Sequence, residues 1–347
     1  MMFGLFLCVI IASSQSGTFS IAAIDPETDE WGVAVASKVL DVGYIVPWIE
    51  PGIGAVATQA YTNVYFGPWA LELLGAGLSA EVVLDSIIAR DTMPEQRQVG
   101  IVDKDGQAAA HTGTMTLAWS GHHTDKYVSI QGNILTGKEV IDSMFIAYKR
   151  TTGPLAQRLL AALIAGELAG GDSRGKQSAA LYVMKERGGY EGVDDRLVDL
   201  KVVDNPEAVK ELERLYTKWQ WVFLAPAYLR FSNEDTARAE IYLSRTYSLL
   251  VTALDSELDD ADIYNTLAWE FALKKIYPEL TLRAAKKAHE LDPDTDYIMD
   301  TLAEAYFAMG NYKEAVHWEK EALKKSPDDK FFQEQLKKYE RALKANK

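Results

Sequence analysis

The sequence predicts two packed, largely antiparallel sheets flanked by helices, followed by an all-helical repeat region: an α+β architecture with an α-only tail. Three observations carry this reading. Strand-like runs come first, then helical runs, then strands again, an order that suits paired sheets better than a doubly wound parallel sheet. No G-x-G-x-x-G or Walker-type loop is present, so a nucleotide-binding sheet lacks its phosphate-holding signature. From about Thr217 the composition turns to helix formers and aromatics, and a tetratricopeptide spacing emerges.

Residues 17–38, G-TFSIAAID-PETD-EWGVAVASK, read as a hairpin around a Pro-Glu-Thr-Asp turn. Two loop-plus-strand pairs follow at 41–48 and 52–59, the second rich in small residues that suit a close-packed strand. Gly67-Pro68 precedes a helix through Leu71, Leu73 and Leu74, and Ser79 is placed to cap the next, which carries Val82, Val83, Ile87 and Ile88. RQVGIVD (97–103), an Asp105-Gly106 turn and QAAAHTG (107–113) form a second predicted hairpin. A strand at 127–133, helices from Gly137 and from Pro154, a polar glycine loop at 170–176, strands at 177–184 and 196–204, and a helix ending near Trp219 complete the first region.

In the tail, Leu302, Ala303, Tyr306, Gly310, Tyr312, Ala315, Ala322 and Pro327 fall on the tetratricopeptide pattern. One 34-residue period earlier, Ala285, Ala288 and Pro293 fall in register, although 274–278 replaces the usual glycine turn. A further helix is predicted over 234–256. So few repeats are marginal alone and gain stability from a neighbouring fold.

The 347 residues carry 36 basic and 50 acidic side chains, a net charge of −14, with no basic excess to bind nucleic acid. The acidity reads as a soluble, self-repelling surface. Cys8 is the only cysteine and lies in the apolar run 2–12, which excludes thiolate catalysis, Cys-based zinc and an intrachain disulfide downstream. That run has signal-peptide length, is short for a membrane span, and lacks a preceding Lys or Arg. Small-x-small spacing favours a cut after Ser16, leaving Gly17 first; a cut after Gly17 puts Gln15 where a small residue is preferred. An uncleaved anchor and a misassigned start are the alternatives.

If processing exposed Thr18, one residue would carry both a nucleophilic hydroxyl and its own base, the α-amine. Ser37 and Lys38 end the partner strand, where a lysine would lower the nucleophile's pKa; a solvated strand-end lysine is the other reading. Gln59, Thr62, Asn63 and Asn133 offer amide or hydroxyl donors for an oxyanion, or simply turn chemistry. In the glycine loop, Arg174 suits a carboxylate clamp, or Asp172 and Arg174 pair to order the loop; Gln177 is adjacent. His111 reads as structural, and His122, His123 and Asp125 lack the geometry of a metal site. No metal and no cofactor are expected.

Together TFSIAAIDPETDEWGVAVASK, VGYIVPW, GIGAVATQAYTNVYFGP, RQVGIVD, AAHTG, QGNIL and GGDSRGKQSAAL resemble domain-of-unknown-function family 1028, over about residues 18–219. The resemblance implies the four-layer αββα sandwich of N-terminal-nucleophile (Ntn) hydrolases, enzymes that cleave amide bonds with an N-terminal Thr, Ser or Cys. Many members resemble Met-Thr-Phe-Ser-Ile at their start, so that methionine removal exposes the threonine; the leader ending in Gly17 departs from this. The implied organisation is a leader over 1–17, the sandwich over 18–219, a helical connector over 220–260 and repeats over 261–347. The implied function is an exported, periplasmic or extracellular amidohydrolase. Its substrate would be a small amide or peptide, and its tail would dock a protein. A non-catalytic ligand-binding or scaffolding protein, or a homo-oligomer displaying the repeats, are the rival expectations.

Overall fold

The structure, a computed structural model, describes residues 17–256 and 258–346. All of the predicted leader but Gly17 lies outside the described residues. Contacts divide the chain after Arg214, and the two units are taken separately.

In the first unit the strands are β1 (Thr18–Asp25), β2 (Glu30–Ser37), β3 (Pro47–Glu50), β4 (Gly54–Ala60), β5 (Arg97–Asp103), β6 (Ala108–Thr112), β7 (Gly121–Asp125), β8 (Val128–Asn133), β9 (Ser178–Met184) and β10 (Arg196–Val202). Between them run α1 (Phe66–Gly75), α2 (Ala80–Ala89), α3 (Glu139–Arg150) and α4 (Leu155–Leu168). A six-stranded sheet has the order β10-β9-β2-β1-β8-β7 and a four-stranded sheet the order β3-β4-β5-β6. Every pairing is antiparallel. The sheets face each other through β1, β4, β5 and β8, with α1 and α2 on the smaller sheet and α3 and α4 on the larger. The result is the four-layer αββα sandwich.

The residues explain why the central strands are buried on both faces. In β1 and β2 every residue is buried. Ala22, Ile24, Val33 and Val35 pack between the sheets against Ala55, Ala57 and Val102, whereas Phe19 lies against Gly166 of α4. Gly100 has a specific role: a Cβ there would lie 1.9 Å from Gln131 Oε1, so glycine makes room for a polar side chain between the sheets. Ser79 occupies the N-cap of α2, but its side chain makes no capping bond. Asp103 Oδ2, from the end of β5, accepts from Ala80 N at 2.9 Å instead. An ionised carboxylate is the stronger acceptor for a helix N-terminus. The strand β7 is not evident in the sequence: it is polar and half exposed at a sheet edge, so it lacks an apolar alternation.

After α5 (Ala208–Trp219) a π-helical turn, Gln220–Leu224, leads into the second unit's α6 (Ala225–Glu234) and α7 (Ala239–Asp255). Both helices lie within the stretch 220–260 that the sequence reading expects to be a helical connector. Pro226 punctuates that stretch, yet proline is compatible with a first helical turn, where it sits here. The helices α8 (Ala261–Lys274), α9 (Pro278–Leu291), α10 (Asp296–Ala308), α11 (Tyr312–Lys325) and α12 (Lys330–Ala345) follow. The starts of α9 and α11, at 278 and 312, and of α10 and α12, at 296 and 330, each differ by one 34-residue repeat. Gly310 follows α10 at φ +76°, whereas the turn after α8 uses two left-handed residues on either side of the matching position, Lys275 at φ +54° and Tyr277 at φ +46°. This explains how the first repeat turns without its glycine, at a cost of roughly 1–2 kcal/mol for each of the two.

Candidate functional site

The antiparallel ladders bring the start of β1 beside the ends of β2 and β8, so Thr18 lies between Ser37 and Asn133. Thr18 is 1% exposed. Its Oγ1 donates to Ser37 Oγ at 3.1 Å, and Ser37 Oγ donates to the Gly17 carbonyl. The same carbonyl accepts from Arg174 Nη2 at 3.0 Å. Two donors therefore converge on the peptide bond that joins Gly17 to Thr18.

The loop before β9 supplies Arg174 and aims it. Asp172 is buried and accepts from Arg174 Nη2 at 2.7 Å, Arg174 Nε at 3.1 Å and Lys38 N at 2.9 Å. The pair thus both orders the loop and presents one guanidinium nitrogen to Gly17. A Cβ on Gly17 would lie 2.6 Å from Asp172 Oδ1, so a larger residue there would have to push the Asp172 carboxylate aside. A pocket of about 90 Å³ adjoins these groups, lined in part by Phe19, Ala36, Ser37, Asp172 and Gly175.

Beneath Thr18, between the sheets, runs a buried amide network. Gln59 Nε2 donates to Thr18 O at 3.2 Å and to Gln98 Oε1 at 2.8 Å. Ser20 Oγ donates to Gln59 Oε1 at 2.6 Å, and Gln131 Nε2 reaches Ser20 Oγ at 2.6 Å. Asn133 Nδ2 donates to Gln98 Oε1 at 2.9 Å. Buried amides that bond one another are held rigidly, and each missing partner is costly. Next to Gln59 and Asn133, Ala60 ends β4 at φ +69° and Ile134 follows β8 at φ +52°. A β-branched residue in that region is strained, and such strain gathers at functional sites.

Of the residues singled out from sequence, Thr18, Ser37, Gln59, Asn133, Asp172 and Arg174 meet here. Lys38 contributes its backbone N–H, while its Nζ reaches Lys176 O at 3.1 Å. Asn63 is engaged elsewhere: its Nδ2 donates to Asp91 Oδ2 at 2.6 Å. Gln177 donates to Asp204 Oδ1 at 2.9 Å on the surface. Gln98, Gln131 and Ser20 were not singled out. Their signal was available as inward-facing polar residues within otherwise apolar strands.

Arg97 and Asp91 form a buried ion pair at 3.1 Å, with side chains 8% and 2% exposed. Arg97 also donates to Tyr61 O, which ties down the loop after β4. Burial pushes the Asp91 carboxyl up, but bonds from Met93 N, Asn63 and Arg97 outweigh it and hold it below its ordinary value. Arg97→Met strands that carboxylate and is expected to cost roughly 3–5 kcal/mol. Calorimetry should show Tm falling by on the order of 10 °C. A fall of under about 3 °C would mean the pair does not hold the loop.

His111 Nε2 bonds Pro94 O at 2.8 Å and His122 Nδ1 bonds Thr112 Oγ1 at 2.8 Å. Burial first, then the neighbouring His111 and His123, lower the His122 pKa and favour its neutral form. Among the described residues no group of three or more His, Cys, Asp or Glu is placed to hold a metal ion.

A four-layer αββα sandwich with a hydroxyl residue at the first position of a central strand defines the class of this unit as Ntn-hydrolase-like in fold. The chain belongs to the family of unknown function DUF1028, whose family model matches residues 18–212. It is similar to the crystal structure of the DUF1028 protein SPO2555 from Silicibacter pomeroyi, with 33% identity and a TM-score of 0.54. That match covers 59% of this chain and 87% of the other. A thermophilic tetratricopeptide protein from Thermus thermophilus, TTC0263, matches at 26% identity and a TM-score of 0.31, covering 39% of this chain and 68% of that one. No curated protein matches the sequence.

Proposed function

We propose that the first unit is an amide-bond hydrolase whose nucleophile is Thr18, active once the Gly17–Thr18 bond is opened. In this reading the leader directs export and its removal opens that bond, and the repeat tail docks a protein partner. The observation that carries the reading is the convergence on this one bond. Ser37 Oγ and Arg174 Nη2 both donate to the Gly17 carbonyl, and Thr18 Oγ1 donates to Ser37 Oγ, at the start of a central strand.

The chemistry balances without a cofactor. Thr18 Oγ attacks the carbonyl carbon of a small amide or peptide-like substrate while its proton passes to the Thr18 α-amine. The carbon–nitrogen bond breaks, and the proton moves on to the departing amine. Water, deprotonated by the same α-amine, then hydrolyses the ester on Thr18 and releases the acid. Donors such as Ser37 and Arg174, freed from Gly17 O, are suited to the negative oxygen that develops at each step.

Mass spectrometry of the terminus in natively produced protein tests this directly. The expected first residue is Thr18; a functional form that retains Gly17 sinks the mechanism. One observation favours the rival reading of a non-catalytic ligand-binding or scaffolding protein. With Gly17 attached, Thr18 is only 1% exposed, and the site is closed.

A further inference from the structure

The amide network has one member whose bonding is incomplete, and its orientation is fixed by its neighbours. Gln98 Nε2 points at two carbonyl oxygens, Gly132 O at 2.8 Å and Gly121 O at 3.1 Å. Carbonyls only accept, so that end of Gln98 is the NH2 and its Oε1 must face Gln59 and Asn133. Gln59 is fixed in the same way, since its Nε2 points at Thr18 O and Gln131 O. Asn133 therefore spends its NH2 on Gln98 Oε1, at 2.9 Å, and turns its oxygen away from that contact.

That oxygen is orphaned. Asn133 is fully buried, and among the described residues Oδ1 receives no hydrogen bond. A buried acceptor left without a donor costs about 1–3 kcal/mol, so such an atom calls for an explanation. Asn133 is the direct cross-strand partner of Thr18, and residues paired across a ladder project from the same face. The donor it lacks belongs to the neighbourhood of Thr18.

We infer that Asn133 is a positioning residue for the Thr18 α-amine: once the bond to Gly17 is opened, Asn133 Oδ1 accepts a hydrogen bond from the new terminal nitrogen. The inference rests on the reading of Thr18 as an N-terminal nucleophile and assigns Asn133 the opposite role from an oxyanion donor. A peptide nitrogen has a single N–H, whereas an α-amine has two and an α-ammonium three. Opening the bond creates the donor that the buried oxygen lacks. A free amine rotates about its N–Cα bond. Fixing one N–H on Asn133 restricts that rotation and lets the lone pair be held toward Thr18 Oγ1, as base catalysis needs.

The test uses the chain begun at Thr18, made with a preceding methionine that is removed on synthesis. The α-amine is titrated by competitive chemical labelling read by mass spectrometry, which needs no substrate. Asn133→Asp should raise the amine's pKa by one unit or more, a tenfold gain in proton affinity, because it places a carboxylate beside the ammonium. Asn133→Leu should lower it, since the acceptor that favours the charged form is gone. An unchanged pKa in both variants overturns the inference. If either variant fails to fold by circular dichroism, a crystal structure of the unsubstituted Thr18-start chain decides. An Oδ1-to-nitrogen distance within about 3.2 Å supports the inference, and one beyond about 4 Å overturns it. Failure of the parent reading looks different: turnover surviving Thr18→Ala removes the nucleophile but leaves the contact between Asn133 and the α-amine intact.

Discussion

Thr18→Ala is expected to abolish amide hydrolysis, lowering turnover at least about 10³-fold, while the chain still folds. The expectation follows from what holds the residue in place. Its Oγ1 bonds Ser37 Oγ at 3.1 Å, and the strand around it is held by backbone ladders on both sides. Losing one neutral hydrogen bond costs about 1 kcal/mol of stability. Losing the nucleophile removes the covalent route altogether, because Ser37 is not N-terminal and has no α-amine of its own. Thr18→Ser keeps the hydroxyl and the amine and should retain measurable turnover. The measurement is amine release from a panel of N-acyl amides and short peptides, with the Thr18-start form of each variant. Equal turnover in the alanine variant would take Thr18 out of the mechanism.

The second large effect is a pH dependence in the repeat unit. On α10 and α12, Glu304 accepts from Lys338 Nζ at 2.5 Å, Tyr339 OH at 2.6 Å and Gln335 Nε2 at 3.1 Å. Nearby, Asp300 of α10 and Glu319 of α11 are 4% and 0% exposed. No donor from another described residue reaches either oxygen of Glu319, an arrangement that penalises the charged form. Burial, then the Asp300 charge, pushes Glu319 up to about 9. Burial likewise pushes Asp300 up to about 7, with Glu304 adding to it.

The folded unit therefore keeps protons that the unfolded chain sheds from about pH 4 upward. Their stabilising contribution is complete below that range and is lost as pH rises through about 7 for Asp300 and about 9 for Glu319. Thermal unfolding should show the helical transition falling steadily from pH 5 to pH 9. Glu319→Gln should be near neutral at pH 5 and stabilising by on the order of 3 kcal/mol at pH 9, because a neutral amide has no proton to retain. A variant that tracks the unsubstituted chain at every pH would show that the pair does not govern stability.

Much of the first unit was legible from local pattern. The β1–β2 hairpin, the β5–β6 hairpin with its Asp-Gly turn, and α1 to α4 all follow from alternation, helical spacing and turn residues. The repeat period was legible too, because each helix must present the same small residues to its neighbours. What local pattern hid were elements whose partners are distant. One was the cap on α2, provided by Asp103 rather than Ser79. Another was the polar edge strand β7.

The site divides along the same line. The sequence by itself determined that Thr18 heads the first strand of a hairpin, that glycine precedes it, and that Asp172 and Arg174 sit together in a glycine loop. These are facts of adjacency. Only the tertiary structure decided that Arg174 reaches across 157 positions to the Gly17 carbonyl. It alone turned Asn63 to Asp91 and set Gln98 and Gln131 beneath Thr18. The physical reason is that an amide or guanidinium side chain can serve as donor, clamp or loop tie. Which of these it becomes depends on the acceptor that folding places within about 3 Å of it.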